Sequence, residues 1–336
     1  MTDKDTYQLV RELVKKGLHP VIDRLGIETA IRVATPVSVS DAEAALRESL
    51  AEEGLEILAE VDVQDIHHHY NLEYPEFKIL CVGDREQLEA GMEIDPGLGA
   101  FVPLSVIVYD LDGETRVSAI RPTTLLALFT DDGLRRVIRE TEAALWRALT
   151  AGVPDAELRS EEPPLAPGEE QTRARIKGAL NLVLTLVDAE YSIHVSSPLP
   201  RDQVEAELRD ALDRRGQKVL GEVGDTLLVG NPGQAHKALA IDPDVAVFVP
   251  LSVTITEADA ETHVRTVRPS TLLAFFDDPD LREILQEMEL LLWNALTEGV
   301  PDATVYSRQP PLPPSGGQRT TAANLPGRLG SVDRSK

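Results

Sequence analysis

The string FVPLSV occurs at Phe101 to Val106 and again at Phe248 to Val253. A hexapeptide repeated inside a longer repeated pattern constrains the fold more than any single motif, because both copies must be able to form the same unit. A shift of 147 residues carries Gly83 to Gly230, Asp95 to Asp242, Trp146 to Trp293 and Pro154 to Pro301. Upstream the shift is 162, and carries Pro36 to Pro198, Gly54 to Gly216 and Glu60 to Glu222. The difference of 15 residues places an asymmetry between Asp62 and Lys78. The first copy has an excursion there containing His67, His68 and His69; the second replaces it with a tight turn at Gly224-Asp225.

A chain of 336 residues suits two domains of ordinary size. Residues 5–160 form the first repeat with its extra segment 62–78, residues 161–170 a proline-rich acidic linker, and residues 171–312 the second repeat. Residues 313–336, rich in Pro, Gly, Ser and Thr, read as a disordered tail.

Apolar residues at helical spacing predict helices over Tyr7 to Leu25 and Arg175 to Val187. Ser40 is a good N-cap for a helix from Asp41 to Glu53. The excursion reads as a short helix or irregular segment, and Asp84 should cap a helix reaching Met92. The central strand is predicted over Ala100 to Tyr109, with Pro103 inside it forcing an edge or a bulge. A hairpin turn at Asp112-Gly113 returns it as Thr115 to Ile120. The repeat closes with a helix from Leu134 to Leu149. The fold class is therefore α+β: two tandem copies of a small domain, each with an antiparallel or mixed sheet flanked by helices, arranged as a pseudo-twofold pair.

The formal net charge is −24, which repels a phosphate backbone or an anionic bilayer over most of the surface. Nucleic acid and membrane partners are not expected. A single cysteine, Cys81, excludes an internal disulfide and any multi-thiolate zinc site. The N-terminus lacks the pattern of a signal peptide, so a cytoplasmic location is expected.

The segments GDREQLEAGMEIDPGLGAFVPLSVIVYDLDGETRVSAIRP and GNPGQAHKALAIDPDVAVFVPLSVTITEADAETHVRTVRP resemble the family catalogued as domain of unknown function 302. The resemblance implies a compact α+β domain found as single copies that dimerise and as tandem copies, and brings no activity with it. Two departures stand out. Members often have Cys-Asn-Pro where this chain has Gly83-Asp84-Arg85 and Gly230-Asn231-Pro232. The closing Asp-Pro step is Arg121-Pro122 and Arg268-Pro269 here.

Three groups of residues are candidates for a site. At the Arg-Pro-Thr step, Arg121 with Thr123 and Thr124, and Arg268 with Ser270 and Thr271, join a guanidinium to hydroxyls and a helical N-terminus, which suits a phosphate or carboxylate; the bland alternative is capping by the hydroxyls and pairing of the arginine with a nearby acid. His67 and His69 would share a face on a strand and suit zinc or nickel; the alternative is a solvated polar excursion. Ser105 and its counterpart Ser252 are polar residues in apolar runs and would line a ligand cleft, although no G-x-S-x-G elbow surrounds them. No cofactor is expected. The leading functional reading is a non-enzymatic module binding a small anionic ligand at the inter-repeat cleft or the Arg-Pro-Thr step. The others are a structural or protein-interaction unit and a metal-dependent enzyme. The repeats are expected to form an intramolecular pseudo-dimer, the whole chain being a monomer.

Overall fold

The computed structural model describes residues 28–69, 74–129, 131–161, 163–164, 190–274, 276 and 278–311. The helices predicted at Tyr7 to Leu25 and Arg175 to Val187, most of the linker 161–170 and the tail 313–336 lie outside the described residues.

The first half runs β1 (Ala30–Thr35), α1 (Val39–Glu52), β2 (Glu56–Asp62), α2 (Val63–His69), β3 (Phe77–Gly83), α3 (Arg85–Ile94), β4 (Leu104–Leu111), β5 (Glu114–Ile120), α4 (Asp132–Gly152) and β6 (Glu157–Leu158). The second runs β7 (Ser192–Ser197), α5 (Arg201–Arg214), β8 (Lys218–Val223), β9 (Thr226–Gly230), α6 (Pro232–Ile241), β10 (Leu251–Ala258), β11 (Glu261–Val267), α7 (Pro279–Gly299) and β12 (Thr304–Val305). Short 3-10 turns stand at Pro96–Ala100 and Pro243–Phe248, just ahead of β4 and β10. The sheets have the orders β2-β3-β4-β5-β1-β6 and β12-β7-β11-β10-β9-β8, and every paired strand is antiparallel. The chain is α+β in two similar halves, as expected, and the sheet is antiparallel rather than mixed.

Local chemistry explains the elements and corrects several boundaries. Ser38, not Ser40, caps α1: its side chain accepts from the backbone N–H of Asp41 at 3.1 Å, and the helix starts two residues earlier than predicted. Asp84 caps α3 through a bond from the N–H of Gln87. Asp112 and Gly113 both take positive φ, 55° and 83°, as a two-residue hairpin turn requires. The repeated hexapeptide is not all strand. Phe101, Val102 and Pro103 precede β4, which begins at Leu104 and lies between β3 and β5. Pro103 therefore removes no ladder donor and forces neither an edge nor a bulge. In the second half, β8 and β9 are joined directly by Gly224-Asp225.

Alternation along the strands gives each sheet two different faces. In the first sheet, buried Val106, Val108, Val117, Ile31 and Val33 point toward α1 and α4. These helices approach closely, since a Cβ on Gly152 would stand 2.1 Å from that of Ser49. The same closeness recurs between α7 and α5, where a Cβ on Gly299 would meet Ala211 at 2.2 Å. The opposite sheet faces turn toward each other's repeat. The Pro243–Phe248 turn packs on β4 and β5, and the Pro96–Ala100 turn on β10 and β11. One continuous apolar core includes residues from both halves, Leu46, Ile107 and Leu145 with Leu208, Ile255 and Leu292 among them.

Candidate functional site

The contacts between the repeats are reciprocal. The Ser105 hydroxyl donates to the carbonyl of Val249 at 2.8 Å, and the Ser252 hydroxyl donates to the carbonyl of Val102 at 2.7 Å. Both serines line a space of about 460 Å³ where the two halves meet. Their protons are committed to backbone carbonyls, so the hydroxyls bind the repeats to one another.

The Arg-Pro step is buried. Arg121 is 2 % exposed; its Nη1 lies 3.3 Å from Glu142 Oε1 and its Nη2 2.9 Å from Glu28 Oε2. The backbone N–H and hydroxyl of Thr123 both donate to Glu142 Oε2, at 3.0 and 2.5 Å, and the Thr124 hydroxyl donates to the Arg121 carbonyl. Trp146 lies 5.4 Å beneath the guanidinium. The second copy repeats this with Arg268, Glu289 and Glu190, the N–H of Ser270 on Glu289, the Thr271 hydroxyl on the Arg268 carbonyl, and Trp293 at 5.4 Å. The sequence places an anion beside each arginine; the structure puts the protein's own carboxylates there. Burial repays the cost of charge only when such pairing is complete.

The excursion supplies a different kind of site. On α2, His67 and His69 are two residues apart and so point to different sides of the helix. His67 is 1 % exposed, whereas His69 faces outward. Among the described residues, no group of three or more His, Cys, Asp or Glu side chains is placed to hold a metal ion. His67 instead forms part of the wall of a cavity between the repeats. Val61, Ile66 and Ile79 line it from the first half, and Leu239, Phe248 and Met288 from the second. The empty space is about 760 Å³, part of it open to solvent, and its walls are close together.

The chemistry of His67 follows from its hydrogen bond. Its Nδ1 lies 2.7 Å from the carbonyl of Val63, and a carbonyl only accepts, so Nδ1 carries the proton. Burial, against the raising effect of that bond, lowers the pKa of the ring below its ordinary value, with nearby His236 adding to the fall. In the neutral ring Nε2 is then a bare acceptor. It is buried and has no hydrogen-bond partner among the described residues. Tyr74 stacks on the imidazole at 4.7 Å, and the ring of His236 stands 5.1 Å away. The other polar wall residue, Asn231, already caps α6 by accepting from the N–H of Gln234.

The family model described as "Domain of unknown function DUF302" matches residues 31–152 and 225–299, which together make up more than half of the chain. The chain belongs to the DUF302 family. The chain is also similar to an uncharacterized conserved DUF302 protein from Bacillus stearothermophilus, known from a crystal structure. The identity is 22 %, over 37 % of this chain and 98 % of that one, with a TM-score of 0.35. Among curated proteins no match is found. No helix among the described residues is long and apolar enough to cross a membrane.

Sequence reasoning singled out His67 as a metal ligand, and neither the cavity nor its second-repeat wall was legible. Leu239, Phe248 and Met288 carry no signal beyond ordinary apolar spacing, and only the packing of one repeat on the other brings them to α2.

Proposed function

We propose that this DUF302 protein is a non-enzymatic binding module for a small ligand held between its two repeats. The ligand is apolar over most of its length, to suit the cavity walls, and carries one hydrogen-bond donor that meets Nε2 of His67. The observation that carries this reading is the buried acceptor, without a partner among the described residues, of a histidine on the wall of a cavity that is apolar apart from Asn231. Such an acceptor costs free energy unless something completes it, and an apolar pocket with one or two oriented polar groups is the usual form of a small-molecule site. The cavity wall includes α2, the element that only the first repeat possesses, so duplication would give one site per chain.

An anionic ligand does not suit this cavity. A carboxylate would bring only acceptors to an acceptor, and an apolar wall would strip its water without return. The fitting end group is an alcohol, a phenol or an amide N–H. The test is a thermal melt of the full chain in increasing 1-pentanol. A saturable rise in melting temperature is expected, and Ala235→Phe, which fills the cavity from α6, should remove it. A melting temperature that only falls with alcohol, or a rise unchanged in the filled variant, contradicts the reading.

A further inference from the structure

The helix α2 has a seat against the second repeat, and the matching seat against the first repeat holds no helix among the described residues. Val63, Ile66 and His67 of α2 line one cavity with Leu239 and Val249, and α2 packs on α6. The residues matching Leu239 and Val249 are Met92 and Val102. With Leu58 and Val223 they line a space of about 620 Å³, part of it open to solvent. Leu58 and Val223 are in turn the counterparts, at the shift of 162, of Leu220 and Val61 on the wall of the His67 cavity. The tight turn at Gly224-Asp225 borders this space where the other half has a helix.

The space continues along the first repeat as a groove. Leu88 and Val102 also line a second volume of about 580 Å³ between α3 and α4. From α4 it takes Leu134, Val137, Ile138 and Thr141, which at i, i+3, i+4 and i+7 form one helix face. Leu88, Met92, Val137 and Thr141 are only half-buried. Leu98, Phe129, Leu134 and Ile138 belong to an apolar cluster separate from the main core, whereas their counterparts Val245, Phe276, Leu281 and Leu285 are part of that core. A face with this spacing is what an amphipathic helix covers when it lies in a groove.

We propose that the segment Tyr7 to Leu25 of this chain docks in the groove and does for the first repeat what α2 does for the second. Residues 1–27 precede Glu28, and the chain enters the first repeat beside the groove. Glu28 pairs with Arg121, the Arg121 N–H donates to the Thr29 carbonyl at 2.8 Å, and the next residue, Pro122, lines the groove. The segment carries Leu9, Val10, Leu13, Val14 and Leu18 at helical spacing. As a helix, the part ahead of Pro20 would be about 20 Å long, against about 10 Å for the α4 face from Leu134 to Thr141. The charges are complementary. The segment sets Arg11, Lys15, Lys16 and Arg24 against Glu12 and Asp23, whereas α3 and its cap set Asp84, Glu86, Glu89 and Glu93 against Arg85, the three glutamates being exposed. Opposite charge around an apolar floor selects this occupant over the acidic remainder of the chain. The inference is independent of the ligand reading at His67.

The test is a nitroxide spin label on Lys16→Cys in the full chain, read by NMR; the only native cysteine, Cys81, is buried and stays unlabelled. Signals of Leu88, Met92, Val137 and Thr141 should broaden, while those of their counterparts Ala235, Leu239, Ile284 and Met288 should not. Leu13→Asp made together with Val14→Asp in the labelled chain should remove the broadening and leave the shifts of the second repeat unchanged. A mixture of isotope-labelled chain without nitroxide and unlabelled chain carrying it should show no broadening. Four results would each overturn the proposal: no broadening along the groove, broadening that survives the double substitution, broadening in the mixture, which makes a second copy the occupant, or the same pattern produced by a label on Lys177→Cys and not on Lys16→Cys.

Discussion

The carboxylate of Asp244 on the second repeat is ion-paired with the guanidinium of Arg32 on the first. Two hydroxyls from β4 and β5 also donate to it, so it is one of the points at which the second repeat is fixed to the first sheet, beside the bond from Ser105 to Val249. Replacing it by asparagine removes a charge-assisted set of bonds but leaves their geometry approximately filled. Because Arg32 is about one third exposed, solvent screens part of the gain. Asp244→Asn is expected to cost about 1 to 3 kcal/mol, measured by urea denaturation, and the transition should remain single because one core spans both halves.

The Arg121 and Glu142 pair lies deeper, with both side chains 2 % exposed. Removing one partner leaves a buried charge unpaired. Glu142→Gln and Glu289→Gln should each destabilise by about 3 to 5 kcal/mol, whereas replacing Arg121 and Glu142 together by apolar residues should cost less than the sum of the single changes. Equal and additive losses in a double-mutant cycle would show that the two charges do not sense one another.

Cys81 lies on β3 with 1 % of its surface exposed, and burial pushes its thiol up to about 12. A thiol, not a thiolate, is then present at pH 8. Labelling with a thiol-specific disulfide reagent at that pH should be negligible in native protein and complete in urea.

His194 should titrate abnormally. Burial, and then the charges of Arg265 and His263, lower it to about 4. An unfolded histidine takes up its proton near 6.5, so between the two values the unfolded chain binds more protons. Stability from this residue is therefore fully present above about pH 6.5 and is lost as pH falls toward 4. Proton NMR should place the His194 midpoint near 4, and stability in His194→Gln should fall less steeply across that window than in the parent.

The halves of the fold were legible to different degrees for physical reasons. Local rules gave the caps at Asp84 and the hairpin at Asp112-Gly113, because a capping oxygen or a positive φ depends on neighbours in sequence. They missed Ser38, which competes with Ser40 two residues away, and they ran the central strand back through Phe101 to Pro103, which the apolar composition permits. The pairings that matter for a site are all between residues far apart on the local scale: Glu142 beneath the Thr123 N–H, 19 residues on in the same repeat, could be guessed from neither residue, and the cavity at His67 depends on side chains of the other repeat more than 150 residues away. A comparison of the copies did carry one further signal. Gly97 against Asp244 is a difference readable from the aligned repeats, but its meaning appears only when the turn bearing Asp244 is seen to dock on the opposite sheet.

The most direct test of the ligand reading compares two probes of equal heavy-atom count at His67. 1-Pentanol carries a donor; butyl methyl ether has the same number of carbons and one oxygen but donates nothing. Dissociation constants measured by NMR titration should favour the alcohol at least tenfold, about 1.4 kcal/mol or more, and the preference should disappear in His67→Phe. Equal affinities for the two probes in the parent protein, or a preference that survives in His67→Phe, would contradict the account.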